Sequence, residues 1–157
     1  MYYYNRQVTL RINSTSADAT EWLATRLARN LKGGEVIELA SDLGGGKTTF
    51  VRGLAKGIGS GDQVASPTFT VSKLYKGNKL EIHHFDFYRL QDAGLMEHEL
   101  HDVLGQPNMV VVVEWGDVVQ HVLPAERLTV RIVPTGEHTR QLEFECTDLL
   151  AYLLEGL

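Results

Sequence analysis

The apolar residues of the chain recur in two spacings, and each spacing predicts a different kind of element. Steps of three and four predict an amphipathic helix over residues 14–32. Its apolar face would carry Ala19, Trp22, Leu23, Leu27 and Leu31. Among these we expect Trp22 to be a core residue. The glycine pair at positions 33 and 34 then provides the stop for this helix.

Alternating and continuous apolar runs predict the strands. Strands are expected at residues 7–12, 35–40, 68–75, 80–88, 109–114, 128–133 and 141–146. Further helices are expected at residues 47–58, 91–104 and 148–157. The segment at 109–114 is almost wholly apolar, which is typical of a strand buried on both faces.

The order of these elements predicts the fold class. Strands alternate with helices, so we expect an α/β layer fold. Two of the strand pairs, 68–75 with 80–88 and 128–133 with 141–146, are expected to form hairpins. The sheet would therefore be mixed, flanked by helices, and contained in a single domain over residues 1–157.

Composition and charge narrow the function before any motif is considered. The 157 residues contain 15 lysines and arginines against 20 aspartates and glutamates, for a net charge of −5. This balance argues against a chain that binds nucleic acid by bulk charge alone, and it leaves RNA bound through a partner open. The one cysteine, Cys146, cannot form an internal disulfide, which fits a cytoplasmic protein. No apolar run is long enough to cross a membrane.

A glycine-rich segment, Ser41-Asp-Leu-Gly-Gly-Gly-Lys-Thr48, stands between an expected strand and an expected helix. Successive backbone N–H groups in such a turn can donate to phosphate oxygens, and glycines let the backbone approach closely. Lys47 would reach the β- and γ-phosphates, and the Thr48 hydroxyl would ligate magnesium. The segment therefore predicts a site for ATP with Mg²⁺. The residues expected to contact the nucleotide here are Asp42, Leu43, Gly44, Gly45, Gly46, Lys47, Thr48 and Thr49.

One position departs from the usual phosphate-loop pattern, Gly-x-x-x-x-Gly-Lys-Ser/Thr. Ser41 stands where the first glycine is usual, whereas Gly46, Lys47 and Thr48 match. Because the first position often needs an unusual backbone angle, the departure bears on the geometry of the loop. The alternative is a glycine-rich strand–helix turn with an incidental Lys-Thr pair. The strand–loop–helix context favours the phosphate loop.

Two acids are candidates for the chemistry. Glu114 ends an expected strand, where an acid faces the phosphate loop and can hold a metal directly or through water. Asp86 shares one face of its strand with His84 and Tyr88, and there it could orient the attacking water or take its proton. The alternatives are that Glu114 merely meets solvent, and that Asp86 lies on a solvent-facing hairpin side.

Other residues carry weaker signals. The hydroxyls of the segment 66–70, Ser-Pro-Thr-Phe-Thr, could reach the γ-phosphate, and an ordinary loop is an equal alternative. Trp115 could pack in the core or stack near the nucleotide. Alternation turns His83 away from His84, so this pair does not predict a metal site. The remaining scattered histidines are expected at the surface or in packing roles.

Four segments then occur in one order: Asp-Leu-Gly-Gly-Gly-Lys-Thr-Thr, Ser-Pro-Thr-Phe-Thr, His-Phe-Asp-Phe-Tyr-Arg-Leu and Val-Glu-Trp. Together they resemble the TsaE (YjeE) family, the bacterial P-loop ATPases of tRNA threonylcarbamoyladenosine biosynthesis. The resemblance covers about residues 35–120 by motif. Each segment alone is a modest signal, and the ordered set is specific.

The resemblance implies a P-loop NTPase-like α/β fold and an ATPase, weak alone, that serves a TsaB–TsaD heterodimer. It implies that this chain contacts tRNA only indirectly, because TsaD with TsaB transfers the threonylcarbamoyl group to the base. By matching position, Glu114 would be the magnesium acid and Asp86 the residue needed for hydrolysis. Thr68 would lie in a switch-like loop, and Trp115 beside the nucleotide.

Two functions from other classes stay open at this point. A small-molecule kinase usually has a mobile lid with arginines, and residues 91–106 contain neither arginine nor lysine. A nucleotide-dependent binding switch without significant turnover would use the same fold. GTP in place of ATP is disfavoured, since the string at 77–81, Gly-Asn-Lys-Leu-Glu, only partly resembles a guanine-specific motif.

Overall fold

The computed structural model describes residues 5–67 and 69–157. Its strands are β1 (Gln7–Ser14), β2 (Val36–Ala40), β3 (Ser72–Lys76), β4 (Glu81–Asp86), β5 (Met109–Glu114), β6 (Leu128–Pro134) and β7 (Arg140–Thr147). Its α-helices are α1 (Ala17–Ala28), α2 (Lys47–Gly57) and α3 (Leu95–Val103), with 3₁₀ helices at Gly116–Val119 and Asp148–Leu154. The described strands form one sheet in the order β1-β7-β6-β2-β5-β4-β3.

The centre of this sheet is parallel and its flanks are antiparallel. Strand β2 pairs in parallel with β5 and with β6, and β4 pairs in parallel with β5. The β3–β4 and β6–β7 pairs are antiparallel, as expected for the two hairpins, and β1 runs antiparallel to β7. The α/β class with a mixed sheet flanked by helices is confirmed. The parallel arrangement brings the carboxyl ends of β2, β4 and β5 to one edge.

Strand β5 separates two apolar clusters because both of its faces are covered. Val110 and Val112 pack in the cluster that α1 and α2 form on one face. Val111 and Val113 pack with α3 and its flanking segments on the other face. All four valines are at most 1% exposed, which confirms the strand expected from the apolar run.

Helices α1 and α2 lie in close contact, and glycine makes this possible. A Cβ atom built on Gly53 of α2 would lie 2.3 Å from the carbonyl oxygen of Glu21 and 2.6 Å from the Cβ of Ala24. Small residues at the crossing thus set the distance between the helices. Because α2 follows the glycine-rich loop directly, this packing also fixes where the loop ends.

The expectation that Trp22 is a core residue is wrong. Its side chain is 55% exposed, and the guanidinium of Arg26 lies 4.8 Å from the centroid of its ring. The buried face of α1 is instead formed by Thr20, Leu23, Ala24, Leu27 and Ala28. Trp22 lies beside this face rather than on it, so its indole points outward and contacts Arg26 of its own helix.

Several expected boundaries also shift. Helix α1 begins only at Ala17, because the Ser16 side chain caps it by accepting the Ala19 N–H, and it ends at Ala28. Helix α3 begins at Leu95 rather than at 91. Strand β3 begins at Ser72 rather than at 68, because Val71 has a φ of 66° and breaks the extended backbone.

Candidate functional site

The glycine-rich loop joins β2, at the centre of the sheet, to the first turn of α2. Gly44 and Gly46 have φ values of 73° and 106°, which L-residues with side chains rarely adopt. Gly45 is confined differently, since a Cβ there would lie 1.6 Å from the Ser41 hydroxyl oxygen. Ser41 is not among the positive-φ residues of the described chain, so the loop forms without a glycine at this position.

Lys47 lies folded back into the loop that precedes it. Its side chain is buried, and its Nζ donates to the carbonyl oxygens of Ser41 (2.9 Å) and Asp42 (3.0 Å). Burial lowers the pKa of the ammonium group, against the raising effect of Glu114, Asp86 and Asp42. A buried cation whose hydrogen bonds go to neutral carbonyl groups is well suited to receive an anion.

Two buried carboxylates face this lysine. Asp86 and Glu114 are 3% and 2% exposed, and they occupy paired positions on β4 and β5. Both lie on the α1–α2 side of the sheet, where alternation also places Ile82 and Val112. The alternative in which either acid merely meets solvent is therefore excluded, because both side chains are buried beside α2 and the glycine-rich loop.

Each acid is held by its own set of donors. The Tyr88 backbone N–H donates to Asp86 Oδ1 at 2.9 Å, and the Ser66 hydroxyl lies 3.5 Å from Oδ2. The Oε1 atom of Glu114 is 2.9 Å from Nε2 of His84, a histidine with no exposed surface. Tyr88 itself lies past the end of β4 and is 41% exposed, so the alternating polar face stops at Asp86.

Trp115 closes the site from the end of β5. It has a φ of 55°, an unfavourable angle for a non-glycine residue and a feature often found at functional sites. Its ring centroid lies 4.9 Å from that of Tyr88, and Lys47 Nζ lies 5.0 Å from the Trp115 ring. Trp115 lines the cleft of the glycine-rich loop and also packs, partly buried, against the apolar cluster that contains Val113, so its stacking near a nucleotide stays a prediction.

The glycine-rich loop, Lys47, the two acids and Trp115 line one cleft of about 370 Å³. Its lining consists of Leu43, Gly44, Gly45, Gly46, Lys47, Thr48, Thr49, Ser66, Asp86, Glu114 and Trp115. Asp42 lines an adjoining cleft of about 330 Å³ instead, which Trp115 and Ser41 also border. Thr68 lies outside the described residues, so its expected position in a switch-like loop stays a prediction.

Two residues at the site were missed by sequence reasoning. The sequence places His84 on the same strand face as Asp86, but its contact with Glu114 depends on the pairing of β4 with β5, which the motif does not specify. Arg140 opens β7, and its Nε donates to the Gly45 carbonyl oxygen at 3.0 Å. No local signal predicts this second contact, because 95 positions separate the two residues.

The fold and the site together define an α/β protein in which a glycine-rich loop, a buried lysine and two buried acids meet at the carboxyl edge of a parallel core. A family model described as threonylcarbamoyl adenosine biosynthesis protein TsaE matches residues 14–142. The chain belongs to the TsaE family.

Relatives and a solved structure agree with this assignment. The tRNA threonylcarbamoyladenosine biosynthesis protein TsaE of Bacillus subtilis (strain 168) is 38% identical over 139 residues, which cover 86% of this chain and 84% of the relative. The protein of the same name from Treponema pallidum is 34% identical over 137 residues, covering 85% and 98%. The crystal structure of Bacillus subtilis YdiB superposes with a TM-score of 0.77 at 31% identity, covering 96% of this chain and 94% of that one.

No group of three or more histidine, cysteine, aspartate or glutamate side chains in residues 5–67 and 69–157 is arranged to hold a metal ion. No helix in the same part of the chain is long and apolar enough to span a bilayer.

Proposed function

We propose that this protein is a magnesium-dependent ATPase that supports a TsaB–TsaD-type heterodimer in the threonylcarbamoyladenosine modification of tRNA. The ATPase activity is proposed because three buried charged residues line the cleft of the glycine-rich loop. These are Lys47, Asp86 and Glu114, each at most 6% exposed. The names of the relatives support the pathway. Contact with tRNA would be indirect, which fits a net charge of −5.

The residues present fit a nucleoside triphosphate. The positive φ angles of Gly44 and Gly46 turn successive backbone amides of the loop, and side chains there would be strained. The first turn of α2 begins at Lys47, so its free N–H groups and dipole favour an anion at the same place. Phosphate oxygens would replace the two carbonyl oxygens that Lys47 contacts in this structure.

Thr48 and Glu114 are the residues that would hold magnesium. Thr48 lines the cleft from the first turn of α2, and Glu114 reaches the same cleft from β5. A hydroxyl and one carboxylate suit Mg²⁺, which shares its remaining ligands between phosphate oxygens and water. When bound, the ion would neutralise charge on the β- and γ-phosphates.

Asp86 is the residue that would act on water. In hydrolysis, a water oxygen forms a bond to the γ-phosphorus, the bond to the β–γ bridging oxygen breaks, and ADP leaves. The water must also lose a proton, and a fixed carboxylate can orient the water and accept that proton. Asp86 is held for this role by the Tyr88 N–H and flanked by the Ser66 hydroxyl.

Hydrolysis measured with and without the partner pair tests the proposal. We expect weak magnesium-dependent release of phosphate from ATP by the chain alone and strong stimulation by a matching TsaB–TsaD pair. The Asp86→Ala variant should bind ATP and lose the stimulated rate. Tight ATP binding with no stimulation would favour a nucleotide-dependent binding switch instead. A phosphorylated small-molecule acceptor would favour a kinase.

A further inference from the structure

His84 lies directly behind the two acids of the site. It pairs with Val112 in the β4–β5 register, two residues before the Asp86–Glu114 pair. Alternation along both strands puts these four positions on the same face of the sheet. The imidazole, with no exposed surface, thus stands between the cleft and the apolar cluster under α1 and α2.

The hydrogen bond to Glu114 is the polar contact that explains a histidine at this position. A carboxylate has no proton to donate, so His84 Nε2 must carry the hydrogen of the 2.9 Å contact to Oε1. Within the described residues, Nδ1 of His84 is buried without a hydrogen-bond partner. Burying a polar atom without a partner costs free energy, and an apolar side chain would fill the space without that cost.

Glu114 has a second possible partner if His84 does not hold it. The charge of Glu114 raises the pKa of Lys47, so the ammonium group lies within electrostatic reach of this carboxylate. A freely rotating Glu114 could therefore turn to Lys47 and withdraw both side chains from a ligand. The hydrogen bond from His84 occupies one carboxylate oxygen and leaves the other for the cleft.

We propose that His84 is a positioning residue for a divalent cation, acting through Glu114. The inference rests on the proposed function, because the cation is the magnesium assigned there to Thr48 and Glu114. Groups that orient a metal ligand in this way typically change metal affinity by about 10- to 100-fold when they are removed. The nucleotide itself should bind unchanged when magnesium is absent, since His84 does not line the cleft.

The test is the affinity for ADP, measured by calorimetry with Mg²⁺ and again with EDTA. In His84→Leu we expect the magnesium-dependent gain in affinity to fall by about 10- to 100-fold, with the value in EDTA unchanged. His84→Gln should recover the gain, because its amide nitrogen can donate from a similar position. The matched control is His83→Gln, which replaces a buried histidine on the opposite face of the sheet. The Nε2 atom of His83 lies 3.0 Å from Glu99 Oε1. The magnesium-dependent gain in ADP affinity of this variant should equal that of the wild type.

The results distinguish failure of the proposed role of His84 from failure of the proposed function. A wild-type gain retained in full by His84→Leu overturns the role of His84 and leaves the proposed function standing. A wild type without any magnesium-dependent gain rejects the proposed function itself, and the inference with it. If His84→Leu does not fold, nitrogen NMR of the wild-type imidazole decides: we expect a protonated, exchange-protected Nε2, and an unprotonated Nε2 overturns the proposal.

Discussion

Asp86 and Glu114 occupy paired positions at the ends of the adjacent parallel strands β4 and β5, and both line the cleft of the glycine-rich loop. They differ in what holds them. A backbone N–H fixes Asp86, whereas an imidazole fixes Glu114. The proposed function gives the two acids different roles, with Asp86 acting on water and Glu114 on the cation.

Asp86 can be tested by removing its charge alone. In Asp86→Asn the side-chain oxygen can still accept from the Tyr88 N–H, so we expect ATP to bind with nearly wild-type affinity. Turnover should fall by about 100-fold or more, because the proton acceptor is lost. The control is Asp92→Asn, an exposed acid that accepts from Gly94 N–H at 2.9 Å. Wild-type turnover in Asp86→Asn would exclude this residue from the chemistry.

Lys47 is expected to contribute binding energy to the phosphates. Lys47→Ala removes a buried ammonium donor, so ATP affinity measured by calorimetry should drop roughly 10- to 100-fold. Lys56→Ala is the control, since Lys56 lies exposed in the last turn of the same helix and contacts Glu21 at 3.5 Å. Equal ATP affinity in the Lys47 variant and the wild type would remove the phosphate-loop assignment.

Gly53 should resist a substitution that normally stabilises a helix. Alanine favours helix interiors over glycine by about 1 kcal/mol. Here the added Cβ would lie 2.3 Å from the Glu21 carbonyl oxygen, so α1 and α2 must separate. We expect Gly53→Ala to lower the free energy of unfolding by about 1–3 kcal/mol in urea titrations.

The control for this substitution is Gly61→Ala, where a Cβ meets nothing within 4 Å and the backbone angle is ordinary. Its unfolding free energy should stay within about 0.5 kcal/mol of the wild type. A Gly53→Ala protein more stable than the wild type would show that the two helices are not in close contact.

The thiol of Cys146 is expected to be unreactive in the folded protein. It is 2% exposed, and burial raises the pKa of its thiol, with a smaller contribution from Glu126. The reactive thiolate is thus disfavoured at neutral pH, and reagent access is blocked. We expect one thiol per chain to react with a chromogenic disulfide reagent in guanidinium and almost none in native buffer. Rapid native labelling at the same pH would contradict the burial of β7.

Much of the fold could be predicted from local patterns. Strand β5 was expected at 109–114, where it lies, because a nearly continuous apolar run can be buried only on both faces of a sheet. Helix α2 was expected to begin at Lys47, because glycines precede it and free its first turn. The boundaries of α1, β3 and α3 differed because capping, backbone strain and packing decide them.

The site divides in the same way. The glycine-rich loop with Lys47 could be identified from adjacent residues, since its chemistry depends on a short continuous stretch of backbone. Two other contacts join residues that are distant in the sequence. His84 and Glu114 are 30 positions apart, and Arg140 and Gly45 are 95 positions apart. Such pairs depend on strand order and register, which a single sequence does not specify.

By itself, then, the sequence determined the succession of strands and helices and the position of the phosphate-loop segment, because apolar spacing and glycine placement act over a few residues. Only the tertiary structure decided that Asp86 and Glu114 face one cleft, that His84 lies behind them and that Trp22 turns outward. The physical reason is that these relationships arise when distant segments exclude water together, and their geometry is set by the partner surface as much as by the segment itself.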